Sequence, residues 1–376
     1  MKQFIKVLKL TLIIIISLAG ILTITTIIYM KQAKFGRLAS GERLERIRQS
    51  PNYKNGKFIN QVERPTLTEG YSMLGLAYKA LFKKFERTEP IDSLPSIKTD
   101  LHSLPAATNL LVWFGHSSAY MQLDGKKFLI DPVFSGNASP ISGSVKAFKG
   151  ADIYTPADIP EIDYLLISHD HYDHLDYTTI LALKSKIKHV ICGLAVGAHF
   201  EHWGYVKEQI IEKDWNESVQ IDSNFIIHTL PAHHDGGRGL KRSQSLWLSF
   251  VIESPSMKLF YSGDGGYDPV FKEIGKKFGP IDFALMECGQ YNIAWQAVHK
   301  LPDEVRQAAI DIQARRMLPV HHSKFKLAQH SWDEPLIRIT SLSKDAPYSL
   351  ATPMIGEVVY LGDPDQVFKH WWEGIQ

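Results

Sequence analysis

His169-Asp170-His171-Tyr172-Asp173-His174 packs three imidazoles and the Asp173 carboxylate into six positions, directly behind the apolar run Tyr164–Ile167. A strand that runs out into such a loop requires a fold whose strand ends converge on a polar centre. Imidazole nitrogen and carboxylate oxygen together suit zinc and its first-row neighbours. Residues two apart in extended chain point the same way. His169 and His171 can therefore meet at one ion, while Asp173 and His174, in the next turn, face a second.

Four other segments place possible ligands at the ends of apolar runs, where loops gather and sites form. They are His233-His234 after Thr229–Ala232, Asp264 within Tyr261–Gly266, His321-His322 after Leu318–Val320, and His116 after Trp113–Gly115. These can supply further imidazoles and a bridging carboxylate at Asp264, whose flanking glycines permit close backbone approach. Two ions about 3.5–4 Å apart can share one hydroxide. With two carboxylates and that hydroxide, a zinc pair keeps about one net positive charge, which favours an anionic centre such as a phosphodiester.

The chain has 376 residues, 44% hydrophobic and 22% charged, enough for a substantial core. Its net charge of +2 predicts no general attraction to nucleic acid. Cys192 and Cys288 are too few for a disulfide framework and read as buried thiols. From Leu10 to Met30 no residue is charged, and about 20 such residues cross a bilayer as a helix. A single-pass N-terminal anchor is expected over residues 1–31. A cleaved signal is the alternative, but no small-x-small site ends the run. Both flanks are basic, so no side of the membrane is assigned.

Residues 32–107 read as amphipathic helices and a linker packing on the body. Leu44 and Ile47 mark a short helix over 41–49, and Met73, Ala77, Leu81 and Phe85 mark a second over 69–87. That second helix is basic and could instead lie on a membrane. Glu89 to Ala107, rich in Pro, Ser and Thr, reads as the linker. Residues 108–376 form the catalytic domain. Strands are expected at 110–114, at 120–123 and 127–130 around the Asp124-Gly125 turn, and at 164–167, 190–192, 225–228, 246–252, 259–261, 283–286, 317–320 and 358–361. Helices at 177–186 and 302–315 fall between them. Hairpins followed by alternating elements predict an α/β fold of αββα sandwich type.

The chain resembles the metallo-β-lactamase superfamily through its His-x-His-x-Asp-His motif. Within it, the chain is similar to the branch of N-acylphosphatidylethanolamine-hydrolysing phospholipase D and its bacterial relatives. That likeness extends over Ser50–Tyr53 with Gly56–Phe58, Trp113–Ser118, Asp131–Ser135, Ser168–Asp176, Tyr261–Tyr267, Phe278–Asp282 and Val320–Leu327. It implies one zinc at His169, His171 and His234, and a second at Asp173, His174 and His321, with Asp264 bridging. His234 is preferred to His233 because the family has Pro-x-x-His in this register. The chain departs where the family often has Trp after the last two histidine ligands: Asp235 and His322 stand there, which puts the pocket wall in question. His116 and Asp131 are expected beside the ligands or facing substrate. His299, which with Asp264 and Asp173 makes the catalytic set, is expected to hold a phosphate or protonate a leaving alkoxide. Arg238, with Arg242, is a candidate for an anionic head group, and Tyr291 for substrate contact. His199, His202 and His330 are read as structural.

The expected function is that of a membrane-tethered dizinc hydrolase. It would cleave a phosphodiester of N-acylphosphatidylethanolamine-like phospholipids through a metal-bridging hydroxide. Hydrolysis of lactones or other esters on the same site, and a non-enzymatic envelope role, are the competing readings.

Overall fold

The computed structural model covers residues 1–376 and contains two mixed seven-stranded sheets. The chain enters through α1 (Lys2–Tyr29), α2 (Gly41–Arg48), a hairpin of β1 (Tyr53–Lys54) and β2 (Lys57–Phe58), and α3 (Met73–Phe82). The first sheet comprises β3 (Leu110–Trp113), β4 (Ala119–Leu123), β5 (Lys126–Ile130), β6 (Ile162–Ile167), β7 (Ile187–Gly193) and β8 (Ile210–Lys213). Helices α4 (Tyr177–Leu183) and α5 (Gly197–His202) link its parallel strands. The second comprises β9 (Glu217–Asp222), β10 (Phe225–Leu230), β11 (Ser249–Glu253), β12 (Lys258–Tyr261), β13 (Phe283–Glu287), β14 (Arg316–Val320) and β15 (Ser349–Leu350). Helices α6 (Val270–Phe278), α7 (Pro302–Asp311) and α8 (Glu334–Leu342) join its parallel half. β16 (Val358–Tyr360) returns to pair with β3. Each sheet is antiparallel in its first hairpins and parallel afterwards.

Period-two alternation builds the layers. In β3, Leu111 and Trp113 enter the core between the sheets, while Leu110 and Val112 join the cluster under α4 and α5. In β13, Leu285 faces the central core, whereas Ala284 and Met286 pack against Phe271 and Ile274 of α6 and Val305 of α7. Helices outside both sheets complete the expected αββα sandwich. The two sheets are also stitched together at one edge. His116 N–H donates to the His322 carbonyl (2.9 Å), and His321 N–H donates to that of His116 (2.8 Å).

Several elements differ from expectation. The expected strand at 246–252 begins only at Ser249, because Leu246 and Leu248 donate instead to the carbonyls of Leu194 and Ser168 in the other half. The 89–107 stretch has the composition of a linker but is fastened to the body: Leu94 and Leu101 are buried, and Ile97 N–H donates to the Ile355 carbonyl. α3 is shorter than 69–87, capped by Ser72 and ended by extended Lys83, and it buries none of its residues. It does not pack on the body in the expected way. Both cysteines are buried free thiols whose pKa values burial pushes up, so neither is poised to react.

α1 is long and apolar enough to cross a membrane and buries no residue. Contact starts at its last residue, where the Tyr29 hydroxyl donates to the Pro140 carbonyl (2.9 Å). Trp203 Nε1 donates to the Ala33 carbonyl (2.8 Å), Arg238 donates to the Lys34 carbonyl (2.8 Å), and Arg37 N–H donates to His199 Nδ1 (3.0 Å). A variant lacking residues 1–28 should therefore keep its melting temperature. One lacking residues 1–38 loses all of these hydrogen bonds, at about 0.5–1.5 kcal/mol each, and should melt several degrees lower. Calorimetry of the two truncations in one detergent checks this, and equal melting temperatures would contradict it.

Candidate metal centre

The ligand candidates stand at strand exits on both sheets: His169 after β6, His234 after β10, Asp264 after β12, His321 after β14 and His116 after β3. His116 (φ 53°), Asp131 (φ 37°) and His321 (φ 71°) all hold left-handed backbone although none is glycine. Such conformations persist only where the surroundings impose them, and they gather at functional sites.

Two groups of donors form, with Asp264 between them. In the first, His171 Nδ1 lies 3.0 Å from His169 Nε2 and 3.3 Å from His234 Nε2. In the second, the donor atoms of His116, Asp173, His174 and His321 all lie within 4.8 Å of one another. Asp264 Oδ2 is 3.0 Å from His174 Nε2 and 4.0 Å from His169 Nε2, and its Oδ1 is 3.2 Å from His321 Nδ1. The seven residues named as ligands from the sequence are thus brought together. His233 is not among them: its two ring nitrogens sit against the carbonyls of Ala297 (2.8 Å) and Val62 (3.0 Å).

Electrostatics argue that this cluster fits cations. Burial, with the charge of neighbouring imidazoles, holds His169 well below the ordinary histidine range and brings His234 down to about 3. Both rings are then neutral at pH 7, with lone pairs free to bind. Burial also opposes ionisation of Asp173 and Asp264, but the charge of His174 outweighs it and both carboxyls stay ionised. His174, despite its own burial, is lifted well above its ordinary value by Asp264 and Asp173. A single proton on His174 thus answers several buried carboxylates, a role divalent ions would fill. His174 Nε2 and Asp264 Oδ1 are buried without a hydrogen bond, and unsatisfied atoms within the donor groups are what a bound cation would engage.

Asp131 fixes the orientation of His174. It is fully buried, accepts from Ser168 N (2.8 Å) and from the Tyr261 hydroxyl, and lies 2.8 Å from His174 Nδ1. Taking the proton on Nδ1 leaves Nε2 free toward Asp264. His116 Nε2, 2.9 Å from Asp173 Oδ2, steadies that carboxylate in the same way. His299 stands beside both groups, its ring 5.4 Å from that of His234 and 5.2 Å from that of His321. Burial lowers its pKa, but its hydrogen bond and attraction to Glu287 raise it further, for a net rise. Glu287 is itself completely buried, 3.2 Å from His299 Nδ1 and 2.8 Å from Lys300 Nζ. His299 was expected from the sequence but Glu287 and Lys300 were not, although a glutamate closing the apolar run Phe283–Met286 was their visible sign.

Two expected substrate contacts are placed elsewhere. Arg238 is buried, and its guanidinium donates to the carbonyls of Asp170 (2.9 Å), Leu175 (2.6 Å) and Lys34, stacked 4.1 Å from the Tyr172 ring. It clamps both ends of the 170–175 loop and is not turned to a ligand. Tyr291 is buried, its hydroxyl donating to Glu334 (3.0 Å) and its ring stacked on His330. His322 is no pocket wall either: it is buried against Trp113, with Nε2 3.1 Å from the Pro319 carbonyl. Asp235 does line the opening, 3.5 Å from His171 and 3.3 Å from Arg242. His199, read as structural, braces the motif: accepting from Arg37 at Nδ1 leaves its proton on Nε2, 3.0 Å from Asp170. A cavity of about 620 Å³ opens onto His234 and is bordered by Lys57, Arg64, Asp235 and Arg242.

Comparison with known proteins agrees with this geometry. Residues 126–322 match the family described as the β-lactamase superfamily domain. An uncharacterised protein of Mycobacterium tuberculosis is 33% identical over 338 residues, covering 86% of this chain and 88% of that one. The N-acyl-phosphatidylethanolamine-hydrolyzing phospholipase D 1 of Caenorhabditis elegans is 29% identical, covering 75% of this chain and 83% of its own. Among solved structures, a metallo hydrolase of Ignicoccus hospitalis shares the fold, with a TM-score of 0.51 at 19% identity over 67% of this chain and 97% of that one. With two sheets delivering histidines and aspartates to one buried centre, the chain belongs to the metallo-β-lactamase superfamily and is a metal-dependent hydrolase of that fold.

Proposed function

We propose that the chain is a membrane-tethered dizinc phosphodiesterase of phospholipase D type, acting on N-acylphosphatidylethanolamine-like phospholipids. The observation that carries this reading is the pair of donor groups sharing Asp264, next to a cavity bordered by Lys57, Arg64 and Arg242. A space of about 620 Å³ bordered by Lys57, Arg64 and Arg242 against Glu63 and Asp235 keeps one net positive charge, which suits a phosphorylated head group better than a small neutral lactone. The named activity of the nematode relative and an apolar α1 that buries nothing support the lipid substrate.

His169, His171 and His234 would hold one zinc and Asp173, His174 and His321 the other, with Asp264 common to both. When bound, such a pair supplies Lewis acidity and an activated water at neutral pH. The protein's own groups do the rest. Asp131 and His116 keep His174 and Asp173 aimed inward, Arg238 holds the loop that carries them, and Lys57 and Arg64 on the rim would orient a phosphodiester. His299, its Nδ1 3.2 Å from Glu287, which also pairs with Lys300, would give a proton to the departing alkoxide.

Asp264→Asn should abolish turnover while the fold persists. It should lower metal affinity by more than the ~10–100-fold that changes outside the ligand shell produce; full activity with unchanged metal content would contradict the shared-ligand role. His299→Ala should slow hydrolysis of phosphodiesters with poor leaving groups by about 10²–10⁴-fold and barely affect a nitrophenyl leaving group. Equal losses on both would remove the proton-donor role. Incubating the purified full chain with total bacterial lipid should consume N-acylated phosphatidylethanolamine and release the matching phosphatidic acid, read by mass spectrometry. Consumption of lactones or carboxyl esters alone would overturn the phosphodiester reading.

A further inference from the structure

α3 is mounted inside out. Its half-buried positions are Leu76 and Lys79, whereas Leu74, Tyr78, Leu81 and Phe82 are 84%, 62%, 77% and 71% exposed. At 3.6 residues per turn, positions 74, 78, 81 and 82 share one face and 76 and 79 lie opposite. The helix thus turns its large apolar side to the surroundings, while on the opposite side Lys79 folds back over the Tyr71 ring just before the helix, its Nζ 5.2 Å from the centroid. Two exposed lysines, Lys83 and Lys84, follow it directly.

The helix sits close to the mouth of the metal centre. The segment before it holds the rim: Asn60 donates to the His234 carbonyl (2.8 Å), and Thr68 N–H donates to the Ala294 carbonyl (2.9 Å). The four residues from Thr68 to the cap at Ser72 span at most about 14 Å. On another side of the same centre, the strap after α1 is fastened through Arg238 to the 170–175 loop. The chain therefore leaves the centre toward two apolar helices, one long enough to span a bilayer and one of ten residues with basic residues at its end.

We propose that α3 is a second membrane contact: an interfacial helix that seats Leu74, Tyr78, Leu81 and Phe82 in the acyl region, with Lys83 and Lys84 at anionic head groups, holding the mouth of the metal centre against the bilayer. The body does not cover this face, since all four of its large side chains are exposed. A second copy of the chain is a poor occupant as well, because a helix about 15 Å long offers far less than the roughly 800 Å² per partner of a stable protein interface. Apolar residues flanked by lysines match a bilayer surface. The inference rests on reading α1 as a membrane anchor and is independent of which bond is cleaved.

The test uses the full chain in nanodiscs of phosphatidylethanolamine and phosphatidylglycerol containing doxyl-labelled acyl chains. Leu74→Cys, Leu81→Cys and Lys79→Cys each carry a nitrobenzoxadiazole fluorophore; Cys192 and Cys288 are buried. Probes at 74 and 81 should be blue-shifted and quenched at least twofold by the doxyl lipid, with much weaker quenching at 79. Absent or equal quenching at all three positions would overturn the proposal. So would a blue shift at 74 and 81 without quenching, since that would mean protein covers the face. Failure of the same preparation to cleave phosphodiesters would count against the substrate reading and leave the quenching result standing.

Discussion

Buried negative charge is the constraint on which this structure turns. Asp131, Asp173 and Asp264 all lie at the junction of the two sheets, each within 3.5 Å of a ring nitrogen of the one imidazole of His174. Isolated charges of this kind are not tolerated in a protein interior unless paired or bound to metal. The surroundings follow from that need: neutral imidazoles with free lone pairs, backbone N–H groups and hydroxyls turned onto Asp131, and left-handed backbone at His116, Asp131 and His321. The sandwich supplies the geometry, because strands from both sheets end at one edge where the His116–His322 backbone pair locks them in register.

A second theme is how the centre is attached to what lies outside it. Asp170 and Arg238 do not face the donor groups, yet they tie the motif loop to residues 33–37, which lead directly into α1. Tyr172, between the candidate ligands His171 and Asp173, meets Phe35 edge to face and lies under the Arg238 guanidinium. The apolar N-terminal helix and the metal loop are therefore neighbours in space although some 140 residues separate them in sequence. On the proposed reading, this places the catalytic loop close to the surface where a lipid substrate would arrive.

Much of this was legible in the sequence where local pattern and global fold agree. The His169–His174 spacing, the strand runs before Asp264 and His321, and the charge-free N-terminal run each carry their meaning within a few residues. What stayed hidden depends on contacts distant in sequence. Arg238 looks like a solvated loop arginine until Lys34 and Leu175 are seen around it. Residues 89–107 read as a linker because composition does not reveal that Leu94 and Leu101 find pockets. β8, β9 and α6 were missed because edge strands are short and mixed in character, and because Phe271, Ile274 and Phe278 form an apolar stripe too brief to stand out. α3 was visible as a helix, but its inverted mounting appears only in three dimensions.

The central claim is that side chains from both sheets gather two cations around Asp264. Elemental analysis of the purified full chain, with activity measured on the same sample during stepwise chelation, tests it most directly. The account predicts two equivalents of metal per chain and activity that falls with their removal and returns on zinc addition. One equivalent or none, with catalysis undiminished, would contradict it.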